Sequence, residues 1–321
     1  MTVPPWDCFG RNYGGVAGWI FLISTPGTAP ARLCSNSQVS FQARLPSGSS
    51  HTSDTQPTRG RMRERRDMAN FHNWCTVGLP AAIGGQLAGV IKSFDDVMGA
   101  TTLAAELPHT YARADALARI ADRLGKNAVA RHLRNKLPTK ASARSGDMGE
   151  ILATAYLHEE QGCVVGPSRL IERDHQEWAM RGDDALAAKF GHDGKLIIIK
   201  AEAKSRVRLG GGTVAEAREG LARNEELPSP QSLAQFSERL LSTPDSDVGD
   251  AVLTLQLREG VRPDRVAHLM FLFTSSDPSA YVAADLVAYK GSVSQLTVTL
   301  HVQGHKEFIK NAYEKVIFGG P

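Results

Sequence analysis

The run LIIIKAEAK, residues 196–204, opens with four aliphatic residues and then alternates charged and small positions. This pattern predicts a buried β-strand, because successive side chains of a strand point to opposite faces of the sheet. One face is aliphatic, and the end of the other face carries Lys200, Glu202 and Lys204. Charges at the end of a core strand need partners or a function, since isolated buried charges are costly.

Periodicity elsewhere predicts both helices and strands. Helical spacing of apolar residues covers residues 80–107, 111–137, 145–162, 214–224, 231–241 and 305–316. Short apolar or alternating runs predict strands over residues 163–171, 181–190, 251–257, 268–273 and 294–302. In the third helix, Ser145 or Asp147 is the expected N-cap. The predicted fold class is α/β, with a mixed sheet flanked by helices and a helical N-terminal portion over residues 68–144.

Residues 1–67 differ from the rest of the chain. They are rich in Gly, Pro, Ser, Thr and Arg, and only Val16–Ile23 forms an apolar run. Asp7 before that run and the basic segment after it disfavour a signal peptide. Two interpretations stay open: a disordered basic tail, or a mis-called extension upstream of a true start at Met68, because Arg63–Arg66 is what a purine-rich ribosome-binding site would encode.

Composition narrows the class of protein. The chain is 42% hydrophobic and 22% charged, and no apolar run approaches the roughly 20 residues of a membrane helix. Its four cysteines have no CxxC spacing, which argues against a disulfide framework and a zinc site. We therefore expect a globular cytoplasmic protein with reduced thiols and no membrane partner.

A net charge of +3 says little, but one segment is strongly basic. Residues 113–144 hold nine Lys and Arg against two Asp. The segment is either a solvated helix face or a surface for nucleic-acid phosphates. On the second interpretation the candidate nucleic-acid-binding residues are Arg131, Arg134, Lys136, Lys140 and Arg144.

The charged strand end becomes informative in context. A carboxylate two residues before a lysine arises often by chance, and Asp193-Gly194-Lys195 is a second case in a predicted turn. Glu202, however, follows a core strand. The acidic pair Asp183-Asp184 opens the preceding strand, and Glu150 lies on the helix before it. Grouped carboxylates can bind a hard divalent cation, and a nearby lysine can orient water. Salt bridges at a sheet end are the alternative explanation.

This order of acidic helix residue, acidic strand residue and E-x-K resembles the PD-(D/E)xK (restriction-endonuclease-like) nucleases. Over Gly149 to Leu241, the segments GDMGEILATAYL, RGDDALAAKF, LIIIKAEAK and PSPQSLAQFSERLL look most similar to the DUF1837 family, which includes the nuclease subunit of the Hachiman anti-phage system. The signature Pro-Asp is absent. The resemblance implies a nuclease domain over residues 145–321, acting on DNA in defence under restraint by a helicase partner.

Carried over by residue, the resemblance implies four catalytic residues: Glu150, Asp184, Glu202 and Lys204. Asp184 and Glu202 would bind Mg²⁺, or Mn²⁺ in its place, and Glu150 would complete or tune the site. Lys204 would assist the attacking water. Asp183 stays open as a substitute for Asp184. Two other functions also stay open: a nucleic-acid-binding module without chemistry, and a structural subunit of a larger defence or repair complex.

Overall fold

The structure is a computed structural model, which describes residues 68–178 and 180–319. The hypotheses on residues 1–67 lie outside these residues. Seven strands form one mixed sheet in the order β1-β3-β7-β6-β5-β4, and β2 pairs with β3. The strands are β1 Cys75–Val77, β2 Ala81–Ile83, β3 Gln86–Ser93, β4 Ala185–Phe190, β5 Leu196–Ser205, β6 Val266–Thr274 and β7 Ser294–His301.

Strands β3, β7, β6 and β5 run parallel, whereas β1, β2 and β4 pair antiparallel at the two edges. The helices are α1 Asp96–Tyr111, α2 Ala114–Leu124, α3 Lys126–Lys136, α4 Ala141–Glu159, α5 Gly211–Ala222, α6 Pro230–Leu241, α7 Ser246–Thr254, α8 Ser279–Ala288 and α9 His305–Gly319. The predicted mixed α/β fold, with helices flanking the sheet, is confirmed.

Two faces of the sheet carry separate cores. On one face, Ile199 and Ala201 of β5 pack in a large cluster with residues of α1, α4 and α9. On the other face, Ile198 of β5 packs with α6 and α7, and Met270 of β6 packs with α5 and α8. Alternation along β5 thus sends every second residue to a different helical layer, as the sequence predicts.

The helix predicted over residues 80–107 is wrong in its first half. That part forms β2 and β3, and only α1 is helical. Strand β3 pairs in parallel with β7, so that Leu87 lies opposite Leu296. Pairing between segments so far apart in the chain overrides local propensity, which Ala88 and Gly89 leave weak.

The strand predicted over residues 163–171 is also wrong. A single bridge joins Val164 to Ala188, and a 3-10 helix covers Arg169–Glu172. Gly166 has a positive φ of 64°, and Pro167 lacks the N–H that a ladder requires. The segment therefore leaves the sheet after one bridge.

The strand predicted over residues 251–257 is in fact helical. Helix α7 continues into a π-helical turn, Leu255–Glu259. Val248, Val252 and Leu255 are buried at helical spacing in the α6–α7 core. A short apolar run satisfies both periods, and burial of one helical face decides between them.

Helix α4 begins four residues earlier than predicted, so Ser145 and Asp147 lie inside it and the expected N-cap is wrong. The buried carboxylate of Asp147 instead accepts a hydrogen bond from Tyr111 and pairs with Arg173. The predicted helix over residues 111–137 is two helices, α2 and α3, which meet at Gly125 with a φ of 77°. No helix of residues 68–178 and 180–319 has the length and hydropathy to cross a bilayer.

Candidate active site

Two carboxylates meet where β4 and β5 pair. Asp184 immediately precedes β4, whose first residue, Ala185, lies opposite Ala201 of β5. Asp184 therefore extends the ladder beside Glu202, and one of its oxygens accepts a hydrogen bond of 2.9 Å from the backbone N–H of Ala203. The antiparallel register alone brings together an acid pair separated by a hairpin.

Glu202 is buried between a lysine and a helix. The Lys204 ammonium donates a hydrogen bond of 2.8 Å to its carboxylate, and Lys204 remains partly exposed. On the other side lies Gly220 of α5, where an added Cβ would stand 2.3 Å from the Glu202 carboxyl carbon. A glycine is therefore required at position 220 for Glu202 to keep this rotamer.

Lys200, predicted on the same strand face, has a different role. Its fully buried ammonium donates to the carbonyls of Leu221, Arg223 and Leu227 at 3.0, 2.8 and 3.0 Å. It also lies 3.7 Å from the Asp183 carboxylate. Burial lowers the pKa of Lys200, and the charge of Asp183 opposes that shift. Lys200 thus anchors the end of α5 and the loop after it.

The two aspartates of the acidic pair have different surroundings. Asp183 is buried, and its carboxylate accepts a hydrogen bond of 2.8 Å from the backbone N–H of Ser229 at the start of α6. Its own N–H donates to the Ser232 hydroxyl at 3.0 Å. Asp184 is half-buried and faces Glu202. The geometry therefore favours Asp184 over Asp183 as the functional acid.

Glu150 of α4 joins this cluster through Arg169. The guanidinium of Arg169 binds both carboxylate oxygens of Glu150, at 3.0 and 2.8 Å, and lies 3.5 Å from Asp184. Both side chains are largely buried and line a cavity of about 50 Å³ that also contacts Asp184. Arg169 lies in the segment predicted to be a strand, so its role has no signature in the sequence.

The surroundings of the acids raise their proton affinity. Burial raises the pKa of Glu150 to about 8, with a contribution from the charge of Asp184 and opposition from Arg169. Burial and the Asp184 charge also raise the pKa of Glu202, and Lys204 opposes them. Closely spaced carboxylates that favour protonation bind a cation readily once ionised, because the cation relieves their repulsion.

The donor atoms fit a hard divalent cation in chemical type. Asp184 and Glu202 supply carboxylate oxygens, and the carbonyl of Ala203 lies between them in sequence; such oxygens are preferred by Mg²⁺. They do not form a ready three-ligand cage: residues 68–178 and 180–319 contain no group of three His, Cys, Asp or Glu side chains spaced to hold a metal. Arg169 and Lys204 supply the positive charge beside these carboxylates.

The five candidate nucleic-acid-binding residues differ in exposure and in the contacts of their side chains. Arg131 and Arg134 are exposed on α3, and Lys140 is exposed before α4. Lys136 donates to the carbonyl of Ile171 at 3.4 Å. Arg144 donates to the carbonyl of Pro138 at 2.7 Å and lies over the Tyr313 ring. The side chains of two of the five, Lys136 and Arg144, therefore take part in intramolecular contacts.

The sequence model of the HamA family matches residues 93–316, which is more than half of the chain. The chain belongs to the HamA family. The match extends from the end of β3 into α9 and contains all four candidate catalytic residues. The HamA family is named after a component of the Hachiman system, so membership points to anti-phage defence.

One curated relative agrees with this assignment. The Hachiman protein HamA of Bacillus cereus is 22% identical over 177 residues, which are 55% of this chain and 62% of that protein. The chain therefore matches less than two thirds of the length of this HamA relative.

We predict that Arg169→Met destabilises the fold more at pH 9 than at pH 6. The folded pKa of Glu150 lies above its ordinary value, so the native state holds the proton and stability falls as pH rises towards 8. Without Arg169 the pKa of Glu150 rises further, and the loss of folding stability continues above pH 8. An unpaired buried carboxylate should then cost about 3 kcal/mol at pH 9.

Urea unfolding at both pH values measures this difference. Adding Glu150→Gln to the variant removes the unpaired charge and should abolish the pH dependence of the loss. An equal loss at pH 6 and pH 9 would mean that Arg169 stabilises the fold through packing alone.

Proposed function

We propose that this chain is a divalent-metal-dependent nuclease that hydrolyses phosphodiester bonds of DNA in anti-phage defence. The observation that carries the proposal is the cluster at the β4–β5 edge, where Asp184 lies beside Glu202 and Lys204 is hydrogen-bonded to Glu202. Phosphodiester hydrolysis needs neutralisation of the phosphate and activation of water, and this set of groups can supply both.

Each residue has a distinct part in the proposed reaction. Asp184 and Glu202 would hold Mg²⁺, or Mn²⁺ in its place. When bound, the ion would neutralise the phosphate and make water more acidic. Lys204 would orient the attacking water and stabilise the negative charge that develops. Glu150 would tune the site through Arg169, which links its carboxylate to Asp184.

A second candidate function is a nucleic-acid-binding module without chemistry. The observation that favours it is that Arg169 and Lys204 already pair with the acids, as they would in a purely structural cluster. We favour the nuclease because Lys204 is only partly buried and lies at an open strand end, where a structural ion pair contributes little stability.

The defence role follows from membership of the HamA family. We extend it with two further proposals: the substrate is DNA, and a helicase subunit restrains the nuclease until foreign or damaged DNA is present. The resemblance to the Hachiman nuclease subunit supports both.

The chain itself supplies a matched control for the nuclease. We expect Mg²⁺-dependent cleavage of plasmid DNA, lost with EDTA and reduced about 100-fold or more by Glu202→Gln or Lys204→Met. Asp193→Asn and Lys195→Met change the same residue types at the same spacing in the exposed turn after β4, and should cleave like wild type.

Equal activity of the Glu202, Lys204 and turn variants would remove this cluster from the mechanism. If the full chain is inactive alone, the same variants are compared after addition of the helicase partner. Absence of cleavage there as well would favour the binding module.

Gly220→Ala tests whether Glu202 must keep its position. The added methyl group would displace the Glu202 carboxylate from Lys204. Alanine favours the helix by about 1 kcal/mol relative to glycine, which offsets the cost of displacing Glu202. The free energy of unfolding should therefore change little, while cleavage falls at least tenfold. The control is Gly212→Ala on the same helix, where the added Cβ meets nothing within 4 Å and activity should stay at the wild-type level.

A further inference from the structure

A second concave site lies on the opposite face of β5 from Glu202. Between the start of α4, the end of β5 and the start of α9 there is a cavity of about 620 Å³, far larger than the one at the acidic cluster. We call it the basic cleft, and define it by Arg144, Ser145, Arg206, His305, Lys306 and Lys310.

The charged side chains that line the basic cleft are all basic. Four of its lining residues are Arg or Lys, and none of the lining residues in the described part of the chain is acidic. Arg206 and Lys306 are exposed and form no ion pair with a described carboxylate. The pair formed by Lys310 is a loose, exposed one, at 3.9 Å to Glu314. Cations gathered in a concavity that no acidic side chain lines create a positive potential.

The helix ends beside the cleft do not account for this potential. The carboxylate of Glu177 already accepts hydrogen bonds from the N–H groups of Thr139 and Lys140 at the start of α4. Asp96 likewise accepts from the N–H of Gly304, just before α9. An anion in the cleft would therefore be bound by side chains, because these N–H groups at the helix starts already have hydrogen-bond partners.

The floor of the cleft is a buried polar network. The Ser205 hydroxyl is hydrogen-bonded to Ser145 and to Nε2 of His305, both at 2.8 Å. His305 is 3% exposed, and its Nδ1 has no hydrogen-bond partner among the described residues. A buried polar atom without a partner is rare in folded proteins and marks a place where a ligand or water completes the network. This network of Ser145, Ser205 and His305 lies in the same cavity that the four cations line.

Guanidinium, ammonium and hydroxyl groups around aliphatic walls match the backbone of a nucleic-acid strand. Protein contacts to phosphates come mainly from Arg, Lys, Ser and Thr, and single strands follow basic grooves. Val207 and Ile309 supply apolar surface for sugar or base atoms. We propose that the basic cleft binds phosphates of a single nucleic-acid strand.

The position of the cleft connects it to the proposed active site. Ser205, which ends β5, follows Lys204 directly, and the two side chains point to opposite faces of the sheet. The cleft therefore adjoins the end of β5 that carries Glu202 and Lys204. The proposal that the cleft holds the substrate rests on the proposed nuclease function. The proposal that the cleft binds phosphates does not depend on that function.

Binding of single-stranded DNA is therefore measured under conditions that prevent cleavage. The full chain in EDTA is titrated into a fluorescein-labelled single-stranded oligodeoxynucleotide, and anisotropy is followed at several salt concentrations. The triple variant Arg206→Ala, Lys306→Ala, Lys310→Ala should bind at least tenfold more weakly. The slope of log affinity against log salt should fall by about 0.7 for each phosphate that the variant no longer neutralises.

The control removes the same charge elsewhere. Lys195→Ala, Arg258→Ala, Arg262→Ala changes three exposed residues outside the cleft, and should keep wild-type affinity and salt dependence. Equal weakening by both triple variants would overturn the cleft as the binding site. Competition by deoxyadenosine monophosphate at the affinity of the oligonucleotide would overturn the assignment to a strand. Because EDTA prevents metal-dependent cleavage, loss of binding and loss of catalysis are observed separately.

Discussion

The buried ammonium of Lys200 is the interaction on which the geometry of the site depends. A charge removed from water must be satisfied within the protein, and Lys200 finds three carbonyls at the end of α5 together with Asp183. Those contacts fix α5 and the acidic pair against β5. As a result Gly220 lies against Glu202, and Asp184 reaches the N–H of Ala203. The loop that Lys200 holds contains three consecutive residues with positive φ, Asn224, Glu225 and Glu226, and its carbonyls point inward in this conformation.

Cations of the chain lie beside each acid of the cluster. Lys200 lies near Asp183, Arg169 binds Glu150 and approaches Asp184, and Lys204 binds Glu202. Arg169 opposes the rise in pKa that burial causes at Glu150, and Lys204 opposes the rise at Glu202. Asp184 and Glu202 are the two that share one edge, and hence the two best placed to share a divalent ion.

Local pattern predicted the centre of the fold well. The aliphatic run before Lys200 and the alternation after it place β5 and assign its faces correctly, since a core strand obeys one local rule along its whole length. Helix α4 and the acidic hairpin follow from equally local signals. The strands towards one edge of the sheet were harder to predict. Strand β3 forms because it pairs with β7, some two hundred residues later, and its own residues do not specify a strand.

The site was predictable only where its members lie on regular elements. Glu150, Asp184, Glu202 and Lys204 lie on or beside regular elements that the sequence identifies, and the structure brings them into one cluster. Arg169 and Gly220 could not be found, because Arg169 lies in a short 3-10 helix where the sequence predicted a strand, and Gly220 matters only through its close approach to Glu202. Of the cations that line the basic cleft, the sequence pointed only to Arg144, since Arg206, Lys306 and Lys310 join it only after folding.

The central claim is that Asp184 and Glu202 together bind a divalent cation, and Mn²⁺ titration followed by electron paramagnetic resonance tests it most directly. Binding requires no DNA and no partner, so the result does not depend on activation. We predict that the full chain binds Mn²⁺, that Asp184→Asn and Glu202→Gln each weaken binding at least tenfold, and that Asp193→Asn in the exposed turn binds like wild type. Identical binding by all four proteins would contradict the account, because the acidic cluster would then be a set of ion pairs and not a metal site.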